Sequence, residues 1–254
     1  MSTEVAHTGH GHGHGDHPPH LAHQFEDRPQ QDESYSIGMW TFLVTEIMFF
    51  GALFLAFAIY RTKFPEAFHL AHKTLEVKWG MINTFVLLFS SFTMAIGVRF
   101  SQLGNKKGLL AMLGITILCA FVFLGVKTIE YKSKYDHHHV PGAHFSFVVE
   151  EKEDRTNPAT INTFVATADS KTQADLPTSL SNNAQMFFAL YFCMTGLHGF
   201  HVIVGIIILG TLFLMTKFDH PAAKYFMVTE MAGLYWHFVD IVWIFLFPLL
   251  YLLG

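Results

Sequence analysis

The chain has 254 residues, of which 51% are hydrophobic and only 14% charged, with 27 Phe. A soluble domain carries about 25% charged residues, so this composition excludes an ordinary soluble domain and a disordered chain alike. The formal net charge of −4 excludes the basic surface of a nucleic-acid binder. Cys119 and Cys193 lie inside apolar runs and form neither a disulfide framework nor a C-x-x-C metal pair. The 17 His, one more than the 16 Lys and Arg together, need their own account.

Residues 1–36 are polar, contain Pro18, Pro19 and Pro29, and lack an apolar h-region, so they read as a mobile tail and not as a signal peptide. A bilayer span needs about 20 apolar residues. Such runs cover residues 37–60, 81–100, 109–129, 184–215 and 225–253. The expected fold class is therefore an all-α integral membrane protein: a five-transmembrane-helix bundle over residues 37–254. The last two runs exceed one bilayer thickness, which predicts tilt or protrusion. Pro248 removes a backbone donor and predicts a kink near the end of the fifth span.

Two connections are short, at 101–108 and 216–224, and 61–80 is moderate. The connection over residues 132–183 is long and polar, and reads as one extramembrane loop or small lobe. Five spans place the termini on opposite sides. Arg28, Arg99, Lys106, Lys107, Lys217 and Lys224 share the side of the N-terminus, but the opposite side carries at least as many, including Arg61, Lys63, Lys73, Lys78, Lys132 and Lys134, so the count does not decide; the denser cations of the two short loops weakly favour the N-terminal side as cytoplasmic.

Ionisable groups inside the bilayer cost about 2.5–3.5 kcal/mol each and must face protein or water. Glu46 lies in the first span, His198 and His201 in the fourth, and His237 and Asp240 in the fifth. The last four form two i,i+3 pairs, which predicts that each pair shares a helix face. Glu230 lies two turns before His237, and Glu130 ends the third span, where an interfacial position lowers its cost. Three His with two carboxylates could form a metal site or interhelical hydrogen bonds. The E-x-x-H pairs of di-iron bundles are absent. Outside the spans, His7, His10, His12, His14, His17, His20 and His23 punctuate the tail, and His137, His138, His139 and His144 the long loop. Such tracts can bind divalent metals, or be solvated. A membrane metal transporter and a di-metal enzyme are thus competing readings. Gly196, Gly199, Gly205 and Gly210 would let helices approach the fourth span closely.

These residues form a pattern. GLHGFHVIVG (196–205), YWHFVDIVWIFLFPLLYLLG (235–254), INTFVLLFSSFT (82–93) and GMWTFLVTEIMFF (38–50) resemble, in order, segments of subunit III of haem–copper terminal oxidases. The third span ends in Glu130-Tyr131, again as in that family. The resemblance covers residues 36–131 and 184–254 and is closest to the five-helix bacterial short form, which lacks the first two helices of long members.

The resemblance implies a non-catalytic subunit of a proton-pumping respiratory cytochrome c oxidase in the bacterial inner membrane. Such a subunit packs on subunit I and has subunit II as a further partner; those two hold the haem and copper. It carries no cofactor of its own, binds phospholipid in a cleft, and supports proton uptake and turnover stability. A quinol oxidase is the alternative. On this reading no residue is catalytic, cofactor-binding or a metal ligand. Glu46, Glu130, His198, His201, Glu230, His237 and Asp240 become buried polar or lipid-cleft contacts. Met215 stands where relatives place a headgroup-binding Arg, with Lys217 the nearest cation. The resemblance also places the N-terminus in the cytoplasm and the 132–183 loop in the periplasm. The loop is longer than usual there, which suggests a contact with further respiratory subunits.

Overall fold

A computed structural model describes residues 24–136, 149–152, 163–166, 178–220 and 225–252. The His tracts at 7–23 and 137–144 lie outside these residues. Among the described residues five helices are long and apolar enough to cross a membrane: Arg28–Lys63, Val77–Gln102, Lys106–Tyr135, Asn183–Lys217 and Phe226–Leu252. The membrane part of the protein is an all-helical bundle.

Helix α1 (Arg28–Lys63) begins inside the stretch expected to be tail. The Asp27 side chain accepts from the Gln30 amide at 2.9 Å, and Pro29 occupies the first turn, where a missing N–H costs nothing. The tail boundary at residue 36 is thus corrected to about residue 27. At its far end, Pro65 stops α1 and opens α2 (Pro65–His72), a helix inside the 61–80 connection. Its buried Phe68 meets Phe57 of α1 and Phe187 of the fourth span edge-on, with centroids 5.4 and 5.3 Å apart.

Helix α3 (Val77–Gln102) turns into α4 (Lys106–Asp136) through Gly104, whose φ of 69° suits glycine. The Asn105 amide donates back to the Phe100 carbonyl at 2.9 Å, and the Asn105 side chain accepts from the Gly108 amide at 3.1 Å. The long connection is shorter than 132–183, because α4 runs to Asp136 and α5 (Thr178–Lys217) begins before residue 183. Between them strands β1 (Val149–Lys152) and β2 (Thr163–Ala166) pair antiparallel, Val149 opposite Ala166.

Helix α6 (Phe226–Phe247) is the centre of the bundle. Of its most apolar 18-residue stretch 56% is buried, against 17% in α1. It packs on α1, α3 and α5, with Trp236 and Trp243 fully buried. The expected disturbance at Pro248 takes the form of a π-helical turn, Pro248–Leu252. Proline cannot donate to the carbonyl four residues back, so the ladder widens there. The widened turn carries Leu250 and Tyr251 inward. The Leu250 carbonyl accepts from His72 Nδ1 at 3.1 Å.

Candidate functional site

The polar residues of the spans fall into separate places. Glu46 of α1 meets His201 of α5: Oε2 and Nε2 are 3.2 Å apart, with the side chains 21% and 10% exposed. The other ring nitrogen, His201 Nδ1, bonds the Leu197 carbonyl at 2.9 Å. Tyr235 of α6 donates its hydroxyl to the His201 carbonyl at 3.1 Å, and the Phe50 ring lies 5.4 Å from the imidazole. Three helices thus position this pair.

An open apolar groove of about 630 Å³ runs between α1, α5 and α6 toward the N-terminal side, lined by Met39, Phe42, Val204, Met215, Met227 and Tyr235 among others. Its end residues Phe42 and Val204 lie one helical turn from Glu46 and His201. Met215 contributes apolar wall here.

A second cluster lies toward the opposite membrane face. Glu130 is 7% exposed and so is buried within the bundle. The reason is a partner that the sequence reading passed over, Lys127, whose Nζ lies 2.8 Å from Glu130 Oε2. The same ammonium donates to the Tyr251 hydroxyl at 2.8 Å and stands 4.6 Å over the Trp243 ring. Tyr191 donates to Glu130 Oε1 at 2.7 Å, and Tyr251 donates to the same oxygen. The buried charges therefore compensate, and their spare hydrogen-bonding capacity is used. A Lys–Glu i,i+3 spacing at the end of a span was the available signal. One turn further, Lys134 Nζ donates to the Thr74 carbonyl, and Tyr131 and Thr195 hydroxyls are 2.6 Å apart.

The two i,i+3 pairs do not act as pairs. His198 is 1% exposed and lies between Phe123 of α4 and Trp243 of α6, at 5.6 and 5.2 Å, with neither ring nitrogen hydrogen-bonded. An i,i+3 step rotates about 60° around a helix, which here separates His198 from His201 into different interfaces. His237 Nδ1 bonds Ser91 of α3 at 2.7 Å, and Asp240 is buried near the same Ser91. Glu230 is half-buried near the start of α6. Among the described residues no three His, Cys, Asp or Glu converge as a metal would require. Of the spaced glycines, Gly205 supports close packing: a Cβ there would stand 2.7 Å from Trp236. Gly199 and Gly210 face open space.

Comparison with known proteins places this arrangement. A family model described as "Cytochrome c oxidase subunit III" matches residues 137–254. "Quinol oxidase subunit 3" of Bacillus spizizenii is 30% identical over 244 residues, covering 92% of this chain and 97% of the relative. The chain belongs to the haem–copper oxidase subunit III family. The Bacillus subtilis protein of the same name matches at the same 30% identity and coverage. "Probable quinol oxidase subunit 3" of Staphylococcus aureus is 26% identical over 241 residues, covering 92% and 96%. As a subunit III, the chain is a multi-pass accessory subunit of a respiratory oxidoreductase and associates with other oxidase subunits.

Proposed function

We propose that the chain is the non-catalytic subunit III of a quinol-oxidising haem–copper oxidase. The observation that carries this reading is the near full-length match to proteins named quinol oxidase subunit 3. It favours quinol over the cytochrome c expected from the sequence. Cytochrome c remains the second reading, because the matching family model bears that name.

On this reading the chain packs on subunit I, and the haem and copper reside in subunits I and II. It lies in the bacterial inner membrane with the N-terminus cytoplasmic. The aliphatic, Met-rich and aromatic lining of the 630 Å³ groove supports the seating of a phospholipid acyl chain. The connection between α4 and α5 then faces the periplasm and contacts a partner there.

Mild-detergent purification followed by a subunit inventory, an optical spectrum and donor assays tests the proposal. Haem-containing partners and oxygen uptake driven by a short-chain quinol are expected. Uptake driven by reduced cytochrome c, with a haem c or dinuclear copper domain in subunit II, would replace quinol by the second reading. Recovery without any haem-bearing partner would overturn both.

A further inference from the structure

We propose that the strip of α6 through Glu230, His237 and Ile241 seats a transmembrane helix of another oxidase subunit, held by a hydrogen bond to His237 and a cation opposite Glu230. The proposal rests on the chain being one subunit of a membrane complex, and it holds whichever donor feeds that complex. Helix α6 is covered over most of its circumference. The Trp236 and Trp243 indoles donate to Ser90 and Thr84 of α3. Tyr235 donates to the His201 carbonyl of α5, and Phe238 meets Phe50 of α1. A helix turns about 100° per residue, so these contacts leave one open sector, between α3 and α1. Helix α6 packs on both of those helices, while they share no substantial contact with each other. The sector is therefore a trough with α6 as its floor. Ile241, Ile244 and Phe245 are exposed along it, and Glu230 and His237 are half-buried there.

Two polar groups in the trough decide what fills it. His237 Nδ1 is taken by the Ser91 hydroxyl at 2.7 Å. Its other nitrogen, Nε2, has no partner among the described residues, and unlike both nitrogens of His198 it is not sealed inside the bundle. At a rise of 1.5 Å per residue, His237 lies about 16 Å from the Phe226 end of the span and about 22 Å from the Leu252 end. The hydrocarbon core is about 30 Å thick, so the short imidazole reaches neither headgroup layer. Lipid tails offer Nε2 no hydrogen bond, and an unpaired polar group in hydrocarbon is costly. A hydroxyl or carboxamide on a neighbouring helix supplies the bond whichever tautomer His237 adopts, because both groups donate and accept.

Glu230 lies about 10 Å nearer the Phe226 end of the same strip, and it forms no ion pair among the described residues. A Lys or Arg on the incoming helix complements it. The partner helix therefore carries a cation and a hydrogen-bonding residue about seven positions apart, the spacing of Glu230 and His237 on a straight helix.

The test places photoreactive benzoyl-phenylalanine at Ile241, irradiates the complex in its native membrane, purifies it and maps the cross-linked peptides by mass spectrometry. The expected adduct joins Ile241 to one transmembrane segment of a stoichiometric partner subunit, bearing the cation and the polar residue at that spacing. His237→Leu should speed release of this chain from the purified complex by about 3- to 20-fold, the loss of one interhelical hydrogen bond. Replacing the mapped polar residue of the partner by Leu should slow nothing and speed nothing further in the His237→Leu background. The cross-link stands by itself if His237→Leu does not assemble. Adducts on lipid alone, or on a second copy of this chain, overturn the proposal and leave the subunit assignment standing. So do fully additive effects of the two Leu substitutions. Absence of any partner subunit from the purified material overturns both readings.

Discussion

Substituting Glu130 by Leu isolates the energetics of the buried cluster. The change removes the acceptor of the 2.8 Å ion pair and of both tyrosine hydroxyls. Lys127, 7% exposed, keeps only the Tyr251 oxygen and the Trp243 face. Breaking one side of a buried pair costs about 3–5 kcal/mol, because the remaining charge is uncompensated. That is roughly two to three and a half orders of magnitude in an unfolding equilibrium. Replacing both members, Lys127→Met with Glu130→Leu, removes the stranded charge. The two tyrosine hydroxyls, 3.4 Å apart, can then bond each other. The double variant is therefore expected to lie within about 1–2 kcal/mol of the parent. Unfolding in mixed micelles of rising denaturing-detergent fraction measures the parent and both variants. A cost below about 1 kcal/mol for Glu130→Leu, or a double variant less stable than the single, would refute the reasoning.

Two further outcomes follow from helix packing. Gly205→Ala should destabilise by about 1–3 kcal/mol, since the new methyl meets the fully buried Trp236 ring. Gly210→Ala, into open space, should leave the same unfolding curve unmoved. The Thr93 and Thr116 hydroxyls are 2.8 Å apart between α3 and α4. A Thr→Val double-mutant cycle in the same assay should return a coupling of about 0.6 kcal/mol, and no more than about 1.7; a zero coupling would show that these hydroxyls spend themselves on their own helices.

The five spans were legible because their apolar runs exceed any strand or core helix, and the family was legible in GLHGFHVIVG and YWHFVDIVWIF. The element ends were less so. The polar residues 28–36 read as tail because composition outweighed the Asp27-Pro29 start signal, although that signal starts the helix. Pro248 announced a disturbance, but its form depends on what the widened turn reaches: His72 and the Glu130 cluster. Site residues were found by charge and missed by pairing. Glu46 and His201 are far apart in sequence and meet through tertiary packing. Lys127 went unnoticed because the end of a span is where a lysine usually snorkels to water. Spacing grouped His198 with His201, whereas each helix face meets a different neighbour.

The sparse packing of α1 has a consequence for the order of synthesis. Its outward residues Trp40, Val44, Ile47, Met48 and Leu55 are exposed, and its membrane-spanning neighbours are α5 and α6. Those helices emerge from the ribosome more than a hundred residues later. Until Thr178 and beyond are made, α1 stands in lipid with little more than α2 beside it, and Glu46 has no His201 within reach. Helix α1 thus acquires its membrane-spanning neighbours only when α5 and α6 are made, and until then it carries a waiting carboxyl group that the arrival of α5 makes half of a pair.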